Sequence, residues 1–311
     1  MNRTTAARST ASTTSAMSMA DLAAAMTVVV IWGLNFVAMK LALREFTPMQ
    51  LGAARYAFAA MPLLLMIRRP ALPLRWVAAY GLLQGLGQFG LLFMALRLGM
   101  TAGLASVLMQ TQVFFTALMA FAFLGERLSR PMLGGLIFAL AGLACFGIEV
   151  IAGRGTSADV TLAGLLLTIG AAGMWGASNI LARHLQRHYP DYNPIQFVVW
   201  SSLAPVLPFL LLTWLVDGPS AQHQWLDASI SAWAGAAYLG WFATVMAYGL
   251  WTGLLKRHPA NQVAPFGLLV PVVGLLAGML LLHESLSGWQ LAGTAWIAAA
   301  LVIILLAARG R

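Results

Sequence analysis

Apolar residues fill the chain in ten long runs, with polar and charged residues gathered at the joints between them. The runs cover residues 22–43, 47–67, 76–96, 102–124, 132–152, 161–185, 195–216, 230–255, 260–282 and 288–308. Each is about 20 residues, the length an α-helix needs to cross a hydrocarbon layer. They follow one another from end to end and leave no room for a globular domain. Pro marks the joints at Pro70, Pro131, Pro190, Pro194 and Pro259. The longest joint, residues 217–229, is polar and carries two acids and no Lys or Arg. The pattern predicts an all-α polytopic membrane protein with ten transmembrane helices.

Composition agrees. Of 311 residues, 60% are hydrophobic and 9% charged, with a mean hydropathy of +0.82. A soluble domain carries roughly a quarter charged residues, so this surface faces the lipid bilayer. The net charge of +9 does not point to nucleic acid, because the cations are scattered at helix ends rather than gathered in a stripe. One thiol, Cys145, forms no internal disulfide and suits a small core residue. Residues 1–20, rich in Ser, Thr and Ala with Arg3 and Arg8, read as a disordered cytoplasmic tail rather than a transit or signal peptide.

With the N-terminus placed inside, thirteen Lys and Arg fall on cytoplasmic joints and four on the outer ones. The positive-inside bias therefore predicts that both termini are cytoplasmic. The chain also repeats itself. Residues 124–135 return as residues 282–293, with six of twelve positions identical at an offset of 158. Trp32, Gly33 and Lys40 return as Trp175, Gly176 and Arg183 at an offset of 143. Five runs per copy is an odd number, so the second copy enters from the opposite face. The reading is two inverted five-helix repeats, residues 21–155 and 156–311, with a binding site near the midplane between them.

On these residues the chain resembles the drug/metabolite transporter superfamily, EamA-type, in its ten-helix branch. The resemblance rests on Trp32-Gly33, on Pro48 followed by Arg55, on Glu126 with Gly135 and Gly142, and on their echoes Trp175-Gly176 and Glu284 with Gly293. Ala300 and Val113 depart from the pattern, standing where a glycine and a proline are usual. The chain looks closest to the YddG-like amino-acid exporters. The resemblance implies a monomeric helical basket in the bacterial inner membrane that moves amino acids outward.

The polar residues within the runs are the candidate site. The third run offers Tyr80, Gln84 and Gln88 on one helical face, and the fourth Ser106, Gln110 and Gln112. Trp32 with Asn35, and Trp175 with Ser178 and Asn179, are the matching sets of the first and sixth runs. Trp200, Tyr248 and Trp251 come from the seventh and eighth, and Tyr56 stands beside Arg55 in the second. Singly, such groups serve interhelical hydrogen bonding. As a set they suit a zwitterion, with amides and hydroxyls for its charged groups and rings for its side chain. Arg55 either snorkels to the headgroups or holds the substrate carboxylate.

Glu126 and Glu284 fall on opposite faces as latches with a gating role, and the stretch with Pro265 and Pro271 is the candidate mobile element. No acid or histidine lies mid-run, which argues against an obligatory proton relay. No metal or cofactor is expected. The expected function is a secondary transporter exporting aromatic and other neutral amino acids or related metabolites by alternating access, facilitated rather than strictly proton-coupled. The alternative is efflux of drugs or cationic compounds. A membrane-embedded enzyme is disfavoured, since zinc-protease spacing and paired aspartates are absent.

Overall fold

The computed structural model describes residues 17–151, 160–222, 224–258 and 260–309, and among them all regular secondary structure is helical. Most of the expected tail, and Arg3, Arg8, Arg154 and Arg311 of the positive-inside count, lie outside the described residues. Nine helices among them are long and apolar enough to cross a membrane: α1 (Met19–Ala42), α3 (Leu74–Arg97), α4 (Ala102–Leu124), α5 (Arg130–Ile151), α6 (Leu162–His188), α7 (Pro194–Val216), α8 (Ile230–Arg257), α9 (Gln262–Leu282) and α10 (Gly288–Leu306). The second run folds as α2 (Pro48–Ala60) and a single turn at Leu63–Met66, because Pro62 brings no N–H to continue the ladder. Ten apolar runs thus give, among the described residues, nine helices of membrane-crossing length and a shorter one broken at Pro62.

Local sequence sets the boundaries. Thr47 and Gln50 form a capping box at the start of α2, with Pro48 in its first turn. Thr101 and Thr161 cap α4 and α6 through their hydroxyls. Two helices end alike: α4 at Gly125 (φ 66°) and α9 at His283 (φ 55°), both left-handed. In each case the next N–H, of Glu126 or Glu284, reaches back 3.2 Å to the carbonyl of Ala120 or Gly278.

The interiors are irregular at matching places. α3 winds as a π-helix over Leu82–Gly90, and α8 does so over Tyr238–Met246. α4 tightens to a 3₁₀ turn at Met109–Thr111. α9 breaks between two helical pieces, Ala260–Gly267 and Val270–Leu282, with Pro265 inside the first and Pro271 opening the second. Irregular backbone at membrane depth is tolerated where protein or a cavity covers it.

Small residues let the helices close up. A Cβ on Gly142 of α5 would lie 2.8 Å from the Gly293 carbonyl of α10, and a Cβ on Gly274 of α9 would lie 2.5 Å from Ser106 Cβ of α4. α1, α4 and α9 therefore pack into a seal at the Glu284 end of the bundle. The polar connections at that end are fastened as well. Glu45 accepts from the Ser229 N–H (2.6 Å) and hydroxyl (2.7 Å), which hold its carboxyl below the usual glutamate range. Thr47 donates to Asp217, whose carboxyl burial pushes up and this bond pulls back.

Candidate functional site

A cavity of about 420 Å³ lies between the helices. Nine of the residues expected at the site line it: Trp32, Asn35, Arg55, Gln88, Gln110, Trp175, Asn179, Tyr248 and Trp251. They come from six helices, α1, α2, α3, α4, α6 and α8, and Gly267 and Leu268 add a seventh, α9, to the lining. The π-helix of α3 carries Gln88 and Phe89 to the wall; that of α8 carries Ala243.

Arg55 does not snorkel. It is 1% exposed, with Nε and Nη2 donating to Thr244 Oγ1 (3.3 and 3.1 Å) and Nη1 donating to Asn35 Oδ1 (3.3 Å). Its guanidinium carbon sits 3.7 Å from the centroid of the Phe89 ring, a cation–π contact. Among the described residues no carboxylate pairs with it. A guanidinium has five N–H donors, and the three bonds to side-chain oxygens leave capacity for an anion.

One wall is aromatic. The Trp32 ring lies 5.2 Å from Tyr248 and 5.4 Å from Trp251, both at steep angles, and its Nε1 donates to the Ala243 carbonyl at 3.1 Å. Other lining positions are amides. Asn179 Nδ2 donates to Gln112 Oε1 at 2.8 Å, and Gln110 Nε2 to the Gly267 carbonyl exposed by the α9 break, at 3.0 Å. Gln88 differs: it is 2% exposed and its Oε1 has no partner among the described residues.

Five expected residues lie elsewhere. Tyr56, Tyr80 and Gln84 line a separate void of about 20 Å³, room for one water, divided from the main cavity by the hydrogen bond from Gln84 to Tyr248. The i, i+4 spacing that put Tyr80, Gln84 and Gln88 on one face assumes an α-helix. The Leu82–Gly90 stretch is π-wound instead, and the structure puts Tyr80 and Gln84 on the small void and Gln88 on the main cavity. Ser178 is fully buried and donates to its own helix at Trp175 O (2.8 Å). Trp200 Nε1 donates to the Ile67 carbonyl (3.2 Å), tying α7 to the turn after α2. Phe89 and Thr244, which hold Arg55, were not singled out from sequence. A lone hydroxyl in an apolar run was the only signal for Thr244, and Phe89 had none.

The cavity continues toward the Glu126 end. Gln112, Val113 and Asn179 also line a second cavity of about 380 Å³, whose mouth carries Glu126, Arg127, Ser129 and Arg183. Glu126 accepts from Arg183 (2.8 Å) and Arg187 (2.7 Å) there. At the opposite end Glu284 accepts from the N–H groups of Ala102 (2.6 Å) and Gly103 (2.8 Å), closing α9 onto α4. Pro271 sits at that seal, its carbonyl 3.4 Å from Ser106 Oγ. Glu149 is a further buried acid (2% exposed) but contacts Gln290 between α5 and α10, away from both cavities.

The sequence profile described as the EamA-like transporter family matches residues 19–148 and again 162–306. A protein of Salmonella typhimurium named a probable amino-acid metabolite efflux pump is 41% identical over 92% of this chain and 95% of its own. Its namesake in Escherichia coli is 37% identical over 95% and 98%. A probable terminal-alkyne amino-acid exporter of Streptantibioticus cattleyicolor is 26% identical over 82% and 83%. A solved crystal structure superposes with a TM-score of 0.60 over 94% of this chain and 99% of that one, at 20% identity, a likeness of fold alone.

Proposed function

From the premise that the chain belongs to the EamA-like transporter family, and is a multi-pass membrane transporter rather than an enzyme, we propose that it exports amino acids, aromatic and other neutral ones, or related metabolites. The observation that carries this is Arg55: a buried cation on a cavity wall with no counter-carboxylate, facing a cluster of three aromatic rings. A substrate carboxylate supplies the missing charge. Gln88, Gln110, Asn35 and Asn179 offer amides to its ammonium, while Trp32, Trp175, Tyr248 and Trp251 take the side chain. The names of the similar efflux pumps agree. Tyr56, Tyr80 and Gln84 back this site, and Ser178 and Trp200 brace it.

Efflux of lipophilic cations fits less well, because the only formal charge among the lining residues is positive. The same lining, free of acids, supports facilitated transport or exchange over strict proton coupling. Alternating access between two inverted repeats, residues 21–155 and 156–311, draws support from the double family match, the paired π-segments and the paired left-handed caps. The positive-inside count favours both termini, and the Glu126 end, in the cytoplasm, and the family resemblance implies a monomer in the inner membrane. Counterflow in proteoliposomes against a panel of amino acids, their amides and lipophilic cations tests the reading. Exchange of amino acids without a pH gradient is expected; transport of cations alone, or only with a gradient, defeats it.

A further inference from the structure

Glu126 and Glu284 occupy equivalent positions, each just after a left-handed cap, yet they hold different partners. At the sealed end, Glu284 accepts from the Ala102 and Gly103 N–H groups, which open α4. Lys40, at the end of α1, donates to the carbonyls of Leu96 (2.9 Å) and Met100 (2.8 Å). Both charges thus grip the backbone of the α3–α4 connection. At the open end, Glu126 is not seen, among the described residues, to take an N–H of the corresponding α8–α9 connection. It is held instead by Arg183 and Arg187, one turn apart on α6. The counterparts of Arg183 and Arg187, at the offset of 143, are Lys40 and Arg44. Arg44 is exposed and, among the described residues, its side chain has no hydrogen-bond or ion-pair partner. The arrangement is lopsided in every member of the set.

We propose that the two ends exchange these partners during transport. When the Glu126 end seals, Glu126 leaves the arginines for the N–H groups that open the Ala260–Gly267 helix, the offset-158 counterparts of Ala102 and Gly103. Arg183 then donates to the carbonyls of Leu254 and His258, as Lys40 now does to Leu96 and Met100. At the other end Glu284 releases α4 and pairs with Lys40 and Arg44. This rests on the inverted-repeat, alternating-access reading above. Each state holds one carboxylate on a helix N-terminus and one in a double ion pair, so the two differ little in free energy. Substrate binding alone can then tip the balance, which suits a carrier without a coupling ion.

Arg187 and Arg44 give the test, because each serves only one state and both are exposed. Spin labels are placed on a Cys145→Ser background at two pairs of exposed positions. One pair, Arg127→Cys with Lys256→Cys, reports the Glu126 end; the other, Leu98→Cys with Ser285→Cys, reports the Glu284 end. Distances are measured in proteoliposomes, with and without amino acid. Arg187→Gln is expected to enrich the short 127–256 and long 98–285 distances by roughly two- to five-fold, the worth of one exposed ion pair. Arg44→Gln is expected to shift both the opposite way. If the wild type shows two anticorrelated populations and the variants shift neither, or shift alike, the exchange is overturned while alternating access stands. One fixed distance in both wild-type pairs, whatever the substrate, overturns the exchange together with the reading beneath it.

Discussion

The guanidinium of Arg55 sits over the ring of Phe89, its carbon 3.7 Å from the centroid, at the wall of the central cavity. This side chain has traded water for a ring face, one hydroxyl and one amide oxygen. Removing a charge from water costs several kcal/mol, and a desolvated cation–π contact returns about 2. On the reading proposed above, an entering substrate carboxylate would offset part of the remainder.

Arg55→Ala is therefore expected to lower amino-acid transport by about 10- to 100-fold, the worth of a charge-assisted bond at a buried site. Arg55→Lys keeps the charge but loses the planar fork and the stacking, so it recovers only part of the loss. Competition between an aromatic amino acid and its carboxamide separates this from misfolding. The wild type discriminates strongly, and Arg55→Ala does not. A variant that transports poorly yet still discriminates excludes Arg55 as the carboxylate site.

Gln88 provides the converse case. A buried amide whose oxygen has no partner is a standing cost of about 1–3 kcal/mol until something bonds to it. Gln88→Leu has a similar shape and removes that cost, so the substrate-free protein should melt no lower than wild type. Transport should fall several-fold. Thermal unfolding without substrate and counterflow with it are the two readouts. A loss of stability with unchanged transport makes Gln88 a packing residue instead.

How far the sequence reached follows from what kind of signal each feature leaves. Helix positions, the paired Glu126 and Glu284 hairpins and most cavity residues were legible, because apolar length and duplication are one-dimensional patterns. Spans were not all continuous, since Pro62 interrupts the second run. Tyr80, Gln84 and Gln88 share a face by their spacing, but the structure divides them between two voids, and no composition rule announces that division or the π-winding of Leu82–Gly90. Nor could the sequence show Phe89 or Thr244 against Arg55, because those pairings depend on how α2, α3 and α8 dock.

The two hairpin glutamates should differ sharply on removal. Glu284→Ala strands the N–H groups of Ala102 and Gly103, each bonded to a charged acceptor, at a cost of about 2–4 kcal/mol. Glu126→Ala breaks exposed ion pairs worth about 0–1 kcal/mol. Detergent-solubilised thermal unfolding should show a clear drop for the first and little change for the second. Equal drops contradict the assignment of Glu284 as the closed latch.

Acid should act through Glu45. Ser229 holds its carboxyl below the unfolded value, first through the backbone N–H and then through the hydroxyl. A depressed folded pKa adds stability that is fully present above the unfolded pKa of roughly 4.3 and is lost as pH falls through the folded value. Asp217 works in the opposite sense, since burial raises its pKa and penalises the ionised form. Comparing wild type with Glu45→Gln isolates the first effect. The difference in unfolding temperature is expected at pH 7 and should shrink toward zero below about pH 4. A difference independent of pH removes the carboxylate from the explanation.

The seal itself can be tested by steric exchange between Gly274 and Ser106. A Cβ added at Gly274 meets Ser106 Cβ and Oγ, both at 2.5 Å, with the Gly33 carbonyl 3.7 Å away. Neither helix can yield cheaply, because α9 is pinned to α4 on the same face by Glu284. Overpacking at such a contact costs about 1–3 kcal/mol. The cost falls only on the conformation in which α4 and α9 touch. Gly274→Ala should therefore slow transport and favour opening at the Glu284 end, seen as longer 98–285 distances. Ser106→Ala leaves the offending Cβ and should not help. Ser106→Gly removes it, and the double variant Ser106→Gly with Gly274→Ala should regain both rate and distance distribution. Rescue by the glycine and not by the alanine ties the defect to this one contact; equal rescue by both moves it to the hydroxyl, and rescue by neither places the seal elsewhere.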